Sequence, residues 1–130
     1  MKSVFLFLAA LFGFLAVAFG AFGAHALKTL LSPEMMEIYK TAVNYQMWHA
    51  LLLGLVAYGY AQNPSAVLLK WSGWVLTVGI VLFSGSLYLL VLTGIRSLGA
   101  ITPLGGVCFL IGWLLLGIFA FRPDKLENTA

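Results

Sequence analysis

Four long apolar runs follow one another along the chain, and most of the charge sits in the short segments between and after them. A helix that crosses a bilayer needs about 20 mostly apolar residues. Residues 4–26, 41–61, 67–93 and 103–121 meet that length. The segments between them carry turn or helix-start chemistry. Asn63-Pro64-Ser65 reads as a tight turn. Ser32-Pro33 and Thr102-Pro103 each set a capping side chain before a proline suited to the first helical turn. Arg122-Pro123 closes the last helix ahead of a polar tail, 122–130.

The second helix is predicted to begin before the membrane, at Pro33. Glu34, Glu37 and Lys40 recur every third residue there, with Met35, Met36, Ile38 and Tyr39 giving apolar contact. From 33 to 61 the rise of 1.5 Å per residue gives roughly 43 Å, more than a hydrocarbon core of about 30 Å. Its first two turns therefore form a short amphipathic extension outside the core. The pattern as a whole predicts an all-α polytopic membrane protein, one domain over 1–130, with four transmembrane helices (4–26, 33–61, 67–93, 103–121) packed as a bundle.

Composition agrees, since 62% of the 130 residues are hydrophobic and 8% charged, against about 25% charged in soluble domains. The net charge of +3 comes from scattered single residues, Lys2, Lys28, Lys40, Lys70, Arg96, Arg122 and Lys125. With no basic patch, they read as membrane-edge anchors and imply no nucleic-acid partner. Lys2 before an apolar run, with Ala24-His25-Ala26 as a cleavage-like site, resembles a signal peptide. The run from Val4 to Leu27 is longer than a usual signal core, so it is read as a retained helix. Four spans put both termini on one side, with Lys2, Lys70, Arg122 and Lys125 against Lys28, Lys40 and Arg96 on the other. The positive-inside rule then makes both termini cytoplasmic. Cys108 stands alone in an apolar run and reads as an inert buried thiol.

Helices in lipid associate by close packing and hydrogen bonds, and small residues at four-residue spacing permit close approach. Ala9, Gly13, Ala16, Gly20 and Ala24 give the first helix a small face. Gly73, Thr77, Ser84 and Tyr88 share an arc of the third, and Gly105, Cys108 and Gly112 a looser seam of the fourth. Six phenylalanines of the first helix lie mostly off its small face, toward lipid, while Trp71, Trp74, Tyr58 and Tyr60 form an interfacial belt.

Ionisable residues inside a span are expensive and point to function by default. His25 stands at the outer end of the first helix. His49 lies about 12 residues from the inner end of the second, roughly 18 Å up, in the outer half. Tyr45, Gln46 and His49 share one side of that helix. Ser84 and Tyr88 in the third helix and Thr102 at the start of the fourth complete a candidate polar layer. Three readings stand open. The layer is a hydrogen-bonded register with neutral imidazoles, a site for protons or small solutes built on His49, or a haem pocket with His25 and His49 as axial ligands. A tetrahedral zinc or copper site needs more ligands than these. No acid within the membrane orients a Ser/His pair and no phosphate-binding loop is present, so no catalytic residue is assigned and the protein is not expected to be an enzyme.

Several motifs together resemble one family. They are Gly20-Ala21-Phe22-Gly23-Ala24-His25, Tyr45-Gln46-x-x-His49-Ala50, Leu82-Phe83-Ser84-Gly85-Ser86-Leu87-Tyr88, and Thr102-Pro103-x-Gly105-Gly106 with Phe109-x-x-Gly112-Trp113. In this order, over nearly the whole chain, they resemble the small bacterial inner-membrane family known as domain of unknown function 423, which has mitochondrial relatives in animals. The resemblance implies a four-helix, multi-pass inner-membrane protein and brings no activity, substrate or cofactor. The expected role is association through the small faces, as a homo-oligomer or as an accessory subunit of a membrane complex. A small transporter or channel using the polar layer is the alternative, followed by a bis-histidine haem carrier.

Overall fold

A computed structural model of the chain describes residues 3–122. The tail beyond Arg122, and Lys2 and Lys125 of the topology argument, lie outside the described residues. Four helices run α1 (Val4–Phe22), α2 (Pro33–Gln62), α3 (Val67–Thr93) and α4 (Thr102–Ala120). Gly23–Leu27 continues α1 as a π-helical turn, and Arg96–Ala100 forms a 3-10 turn before α4. The described residues form no strand.

Local chemistry sets the helix boundaries. Ser3 and Ser32 cap α1 and α2 by accepting from the backbone N–H of Leu6 (3.1 Å) and Met35 (3.2 Å), each satisfying one of a helix's orphan donors. Asn63-Pro64-Ser65 is a turn closed by Ala66 N–H on the Asn63 carbonyl at 2.9 Å. Gly94 ends α3 at φ 72°, its N–H on the Leu90 carbonyl, a left-handed position that favours glycine. Thr102 corrects the capping prediction. It lies inside α4, after Ile101, and caps nothing, because its hydroxyl is drawn 2.7 Å from that of Ser86 on α3.

Successive helices pack antiparallel. Ala9 faces Gly54 and Gly20 faces Val43 between α1 and α2. Ser84 reaches Ala42 and Gly59 meets Leu69 between α2 and α3. Phe83 meets Gly105 and Leu76 meets Gly112 between α3 and α4. This is an up-down-up-down bundle. Ser3, Arg122 and the 63–65 turn lie at its near end; the 28–32 and 94–101 connections lie at its far end.

Three segments, Val4–Leu27, Val67–Thr93 and Arg96–Ala120, are by themselves long and apolar enough to cross a membrane. Helix α2 falls short on apolarity because Asn44, Gln46 and His49 interrupt its span. Packed along its length between α1 and α3, it crosses with them, and Gln46 and His49 are buried. Two apolar clusters result. One gathers around Leu53, Val56, Leu69 and Leu76 toward the near end. The other gathers Leu27, Tyr39, Leu90 and Val91 at the far end.

Candidate functional site

Between the two clusters lies a belt of hydrogen-bonded polar side chains. Gln46 on α2 is its hub. Its Nε2 donates to the Phe12 carbonyl on α1 at 2.8 Å, and its Oε1 accepts from the Tyr88 hydroxyl on α3 at 2.7 Å. One side chain thus ties three helices. Ser84 Oγ on α3 donates to the Ala42 carbonyl on α2 at 2.7 Å. The Ser86 hydroxyl has one proton and donates it to the Phe83 carbonyl at 2.9 Å, so the Thr102 hydroxyl of α4 donates to Ser86. Tyr39 at the far end donates to the Phe19 carbonyl on the last turn of α1, just before the helix widens at Gly23. There the Tyr39 ring occupies the space that a side chain on Gly23 would need.

His49 forms a separate element. Its Nδ1 lies 2.8 Å from the Tyr45 carbonyl and its Nε2 accepts from the Trp113 indole N–H at 3.2 Å. A carbonyl only accepts, so Nδ1 carries the proton, and a neutral imidazole satisfies both contacts. The ring stacks on Phe109 with centroids 3.6 Å apart. The α1–α2 pairings set His49 level with Gly13, near the middle of α1.

The predicted layer is therefore assembled in part. Gln46, Ser84, Tyr88 and Thr102 join the belt. Tyr45 contributes its ring, stacked at 4.5 Å on Phe83, and its carbonyl to His49. His25 is exposed on the π-helical turn. It stands about 18 Å from His49 along the bundle axis, twelve residues at 1.5 Å each, so the two imidazoles are not brought together within one chain. Tyr39, Ser86 and Trp113 were not in the predicted layer. Ser72 was not either; it donates to the Gly112 carbonyl at 2.9 Å. A serine beside Gly73 in a span, and a tryptophan one turn beyond Phe109, were the available signals for two of them.

The small residues divide likewise. Ala9 and Ala16 are buried and Gly20 rests on Val43, so much of the small face of α1 is used inside the chain. Gly13 has nothing near it, and Ala24 is exposed. Gly73 admits the Phe5 ring, and Thr77 bonds the Gly73 carbonyl of its own helix at 2.8 Å. The tightest seam is α3–α4. Gly105 abuts the backbone of Phe83, Gly112 abuts Leu76, and Gly79, which the sequence did not single out, admits Phe109.

Among the described residues, no buried side-chain nitrogen or oxygen lacks a partner. A belt of neutral, fully paired groups holds helices in register, because a slip of one turn would orphan each of them at once.

Comparison with known proteins agrees with this membrane architecture. The chain is 50% identical over 119 residues to a UPF0382 membrane protein of Staphylococcus saprophyticus, covering 92% of this chain and 98% of that one. It is 52% identical to a Staphylococcus epidermidis counterpart (92% and 96% covered) and 44% identical to one from Bacillus subtilis (92% and 97%). No solved structure matches it. The family model described as "Protein of unknown function (DUF423)" matches residues 19–106. The chain belongs to that family, as a helical membrane protein.

Proposed function

We propose that this protein acts by association within the bacterial inner (plasma) membrane, as a homo-oligomer or an accessory subunit of a larger complex, with both termini cytoplasmic and no catalytic role of its own. The observation that supports this is the outward face of α4. Gly106, Leu110, Trp113 and Gly117 recur there at spacings of four, three and four, and a Cβ at either glycine would meet nothing within 4 Å. Gly105 and Gly112 serve α3, whereas Gly106 and Gly117 serve no neighbour among the described residues. Glycines at such positions let a second helix approach closely.

The test is the mass of the gently extracted protein, whose own chain is 14.1 kDa. A multiple of that mass, or a stoichiometric partner, is expected for the wild type. Gly106→Leu and Gly117→Leu each return it to the single chain, and His49→Gln leaves the assembly intact. A wild type that runs alone, or a Gly106→Leu assembly of unchanged mass, refutes the reading.

The mid-bundle level of His49 favours transport as a second reading. It requires a pH-dependent flux in liposomes that His49→Ala abolishes, and flux equal to empty liposomes removes it. A bis-histidine haem would announce itself as a visible absorbance band in the same preparation.

A further inference from the structure

At the far end, α1 with its π-helical turn and α2 leave a cleft of about 400 Å³ between them. Gly20, Ala24 and Lys28 line one wall at four-residue intervals, and Met36, Lys40 and Asn44 line the other at the same interval. Residues four apart on a helix are neighbours on one face, so two short ladders confront each other. The α1 ladder ends in the Lys28 ammonium toward the membrane surface, and on α2 the Lys40 ammonium stands one turn inside Met36. Beside and below the lysines the walls are Gly20, Gly23, Ala24, Tyr39, Val43 and Asn44.

Asn44 gives a second, independent indication. It is exposed and makes no side-chain hydrogen bond with the described residues, although Gln46, two residues on, has two partners. One turn separates it from Lys40, about 6 Å deeper along the helix. An amide facing out of a spanning segment at that depth is costly unless something outside the chain satisfies it. The carboxylates nearby leave the lysines available. Glu34 is held by Arg96 at 2.9 Å. Glu37 lies 3.7 Å from Lys40, both well exposed, and such a pair contributes little.

We infer that this cleft binds an anionic phospholipid of the surrounding bilayer. Its phosphate lies between Lys28 and Lys40, the Asn44 amide donates to the ester carbonyl region beneath, and an acyl chain runs down past Gly20 and Val43. Depth argues for a lipid over a free anion. From Lys28 to Gly20 the cleft descends about 12 Å, from a cationic rim to a floor of Gly20 and Val43 with the single amide of Asn44 beside it, which matches an amphiphile and exceeds an inorganic ion.

Native mass spectrometry of the detergent-solubilised full chain, titrated with phosphatidylglycerol or phosphatidylcholine of matched chains, tests this. Phosphatidylglycerol is expected to be retained preferentially. Each lysine near an anionic group is worth about a fivefold change in binding, so Lys28→Gln/Lys40→Gln lowers retention about thirtyfold, and Asn44→Leu lowers it for both lipids. Lys70→Gln/Arg122→Gln removes the same charge from the near end and leaves retention unchanged. All these side chains are exposed, so the fold survives, as circular dichroism would verify. Equal retention of the two lipids overturns the inference, as does equal loss in the near-end control. Displacement of phosphatidylglycerol by inorganic phosphate at millimolar concentration would make the cleft an anion site and overturn the lipid assignment. A dimer that depends on Lys28 and Lys40 would put a second chain there and overturn it as well.

Discussion

Gly105→Ala adds a single methyl group, and the α3–α4 seam determines what that methyl costs. Its Cβ would come to 2.8 Å from both Cα and Cβ of Phe83, and closer still to the Phe83 backbone nitrogen. Ordinary contact begins at 3.4 Å, so the helices must separate by roughly 0.6 Å or more at that point. A flexible side chain would swing aside, but backbone cannot. Overpacking of this kind costs about 1–3 kcal/mol, and a backbone obstacle belongs at the upper end. Separation also strains the Ser86–Thr102 and Ser72–Gly112 contacts that span the same seam. Gly85→Ala on α3 is the matched control, because a Cβ there meets nothing within 4 Å. Relief of glycine's helix penalty makes it neutral or stabilising by up to about 1 kcal/mol. The two variants should differ by about 3 kcal/mol, on the order of a hundredfold in the unfolding equilibrium. Unfolding in mixed micelles of rising sodium dodecyl sulfate fraction, followed by circular dichroism, measures that difference. Equal stability of the two variants, or a Gly85→Ala that is the weaker one, would refute the account of the seam.

Other contacts give smaller effects. Gln46→Leu breaks two interhelical bonds and leaves the Tyr88 hydroxyl without its acceptor, a loss of about 2–3 kcal/mol. Tyr88→Phe in that background recovers part of the loss, and additive losses in the double variant would contradict the shared bond. Tyr39→Phe removes the donor to the Phe19 carbonyl; about 1 kcal/mol is lost, and amide exchange over 23–27 quickens while α3 is unaffected. The Arg96 guanidinium, by hydrogen bond and by charge, lowers the Glu34 carboxyl below its ordinary 4.5. Its small contribution is therefore complete above pH 4.5 and disappears as the pH falls through the lowered value. The stability difference between wild type and Glu34→Gln should close over that window and shrink with salt; a difference that persists at lower pH would rule the pair out as its source.

Much of the fold is legible because lipid imposes a crude rule. A run of about 20 apolar residues must be a helix, and the apolar runs do become α1 to α4. Ser32 was readable as a cap because nothing else competes for its hydroxyl. Thr102 carries the same local signature and caps nothing, because Ser86 lies across the seam and sequence spacing does not reveal that neighbour. The same limit governs the histidines. His25 and His49 both look costly in a hydrophobic chain, yet rotation about the helix axis and the offset between helices determine which is enclosed. The offset puts His49 beside Trp113 and the π-helical turn leaves His25 outside. Glycines follow suit. Gly105 and Gly106 are adjacent and alike in sequence, and one meets the backbone of Phe83 while the other meets nothing.

The distribution of polar groups separates structure from business with the surroundings. Helix α2 is the least apolar of the four, and two of its three uncharged-to-titratable interruptions, Gln46 and His49, are buried and paired by neighbouring helices. Inside the bundle the chain meets its own needs. The third, Asn44, faces outward with no partner among the described residues, and with it at the far end stand His25, Lys28 and Lys40, all exposed on the same two helices. Of these, Lys28, Lys40 and Asn44 line one cleft between α1 and α2. Helix α4 presents the opposite kind of surface, apolar and notched by Gly106 and Gly117 with no polar group to satisfy. A lipid headgroup suits the first face and a packed helix the second. The two can therefore be occupied at once, and loss of lipid from Lys28→Gln/Lys40→Gln should leave the mass set by Gly106 and Gly117 unchanged.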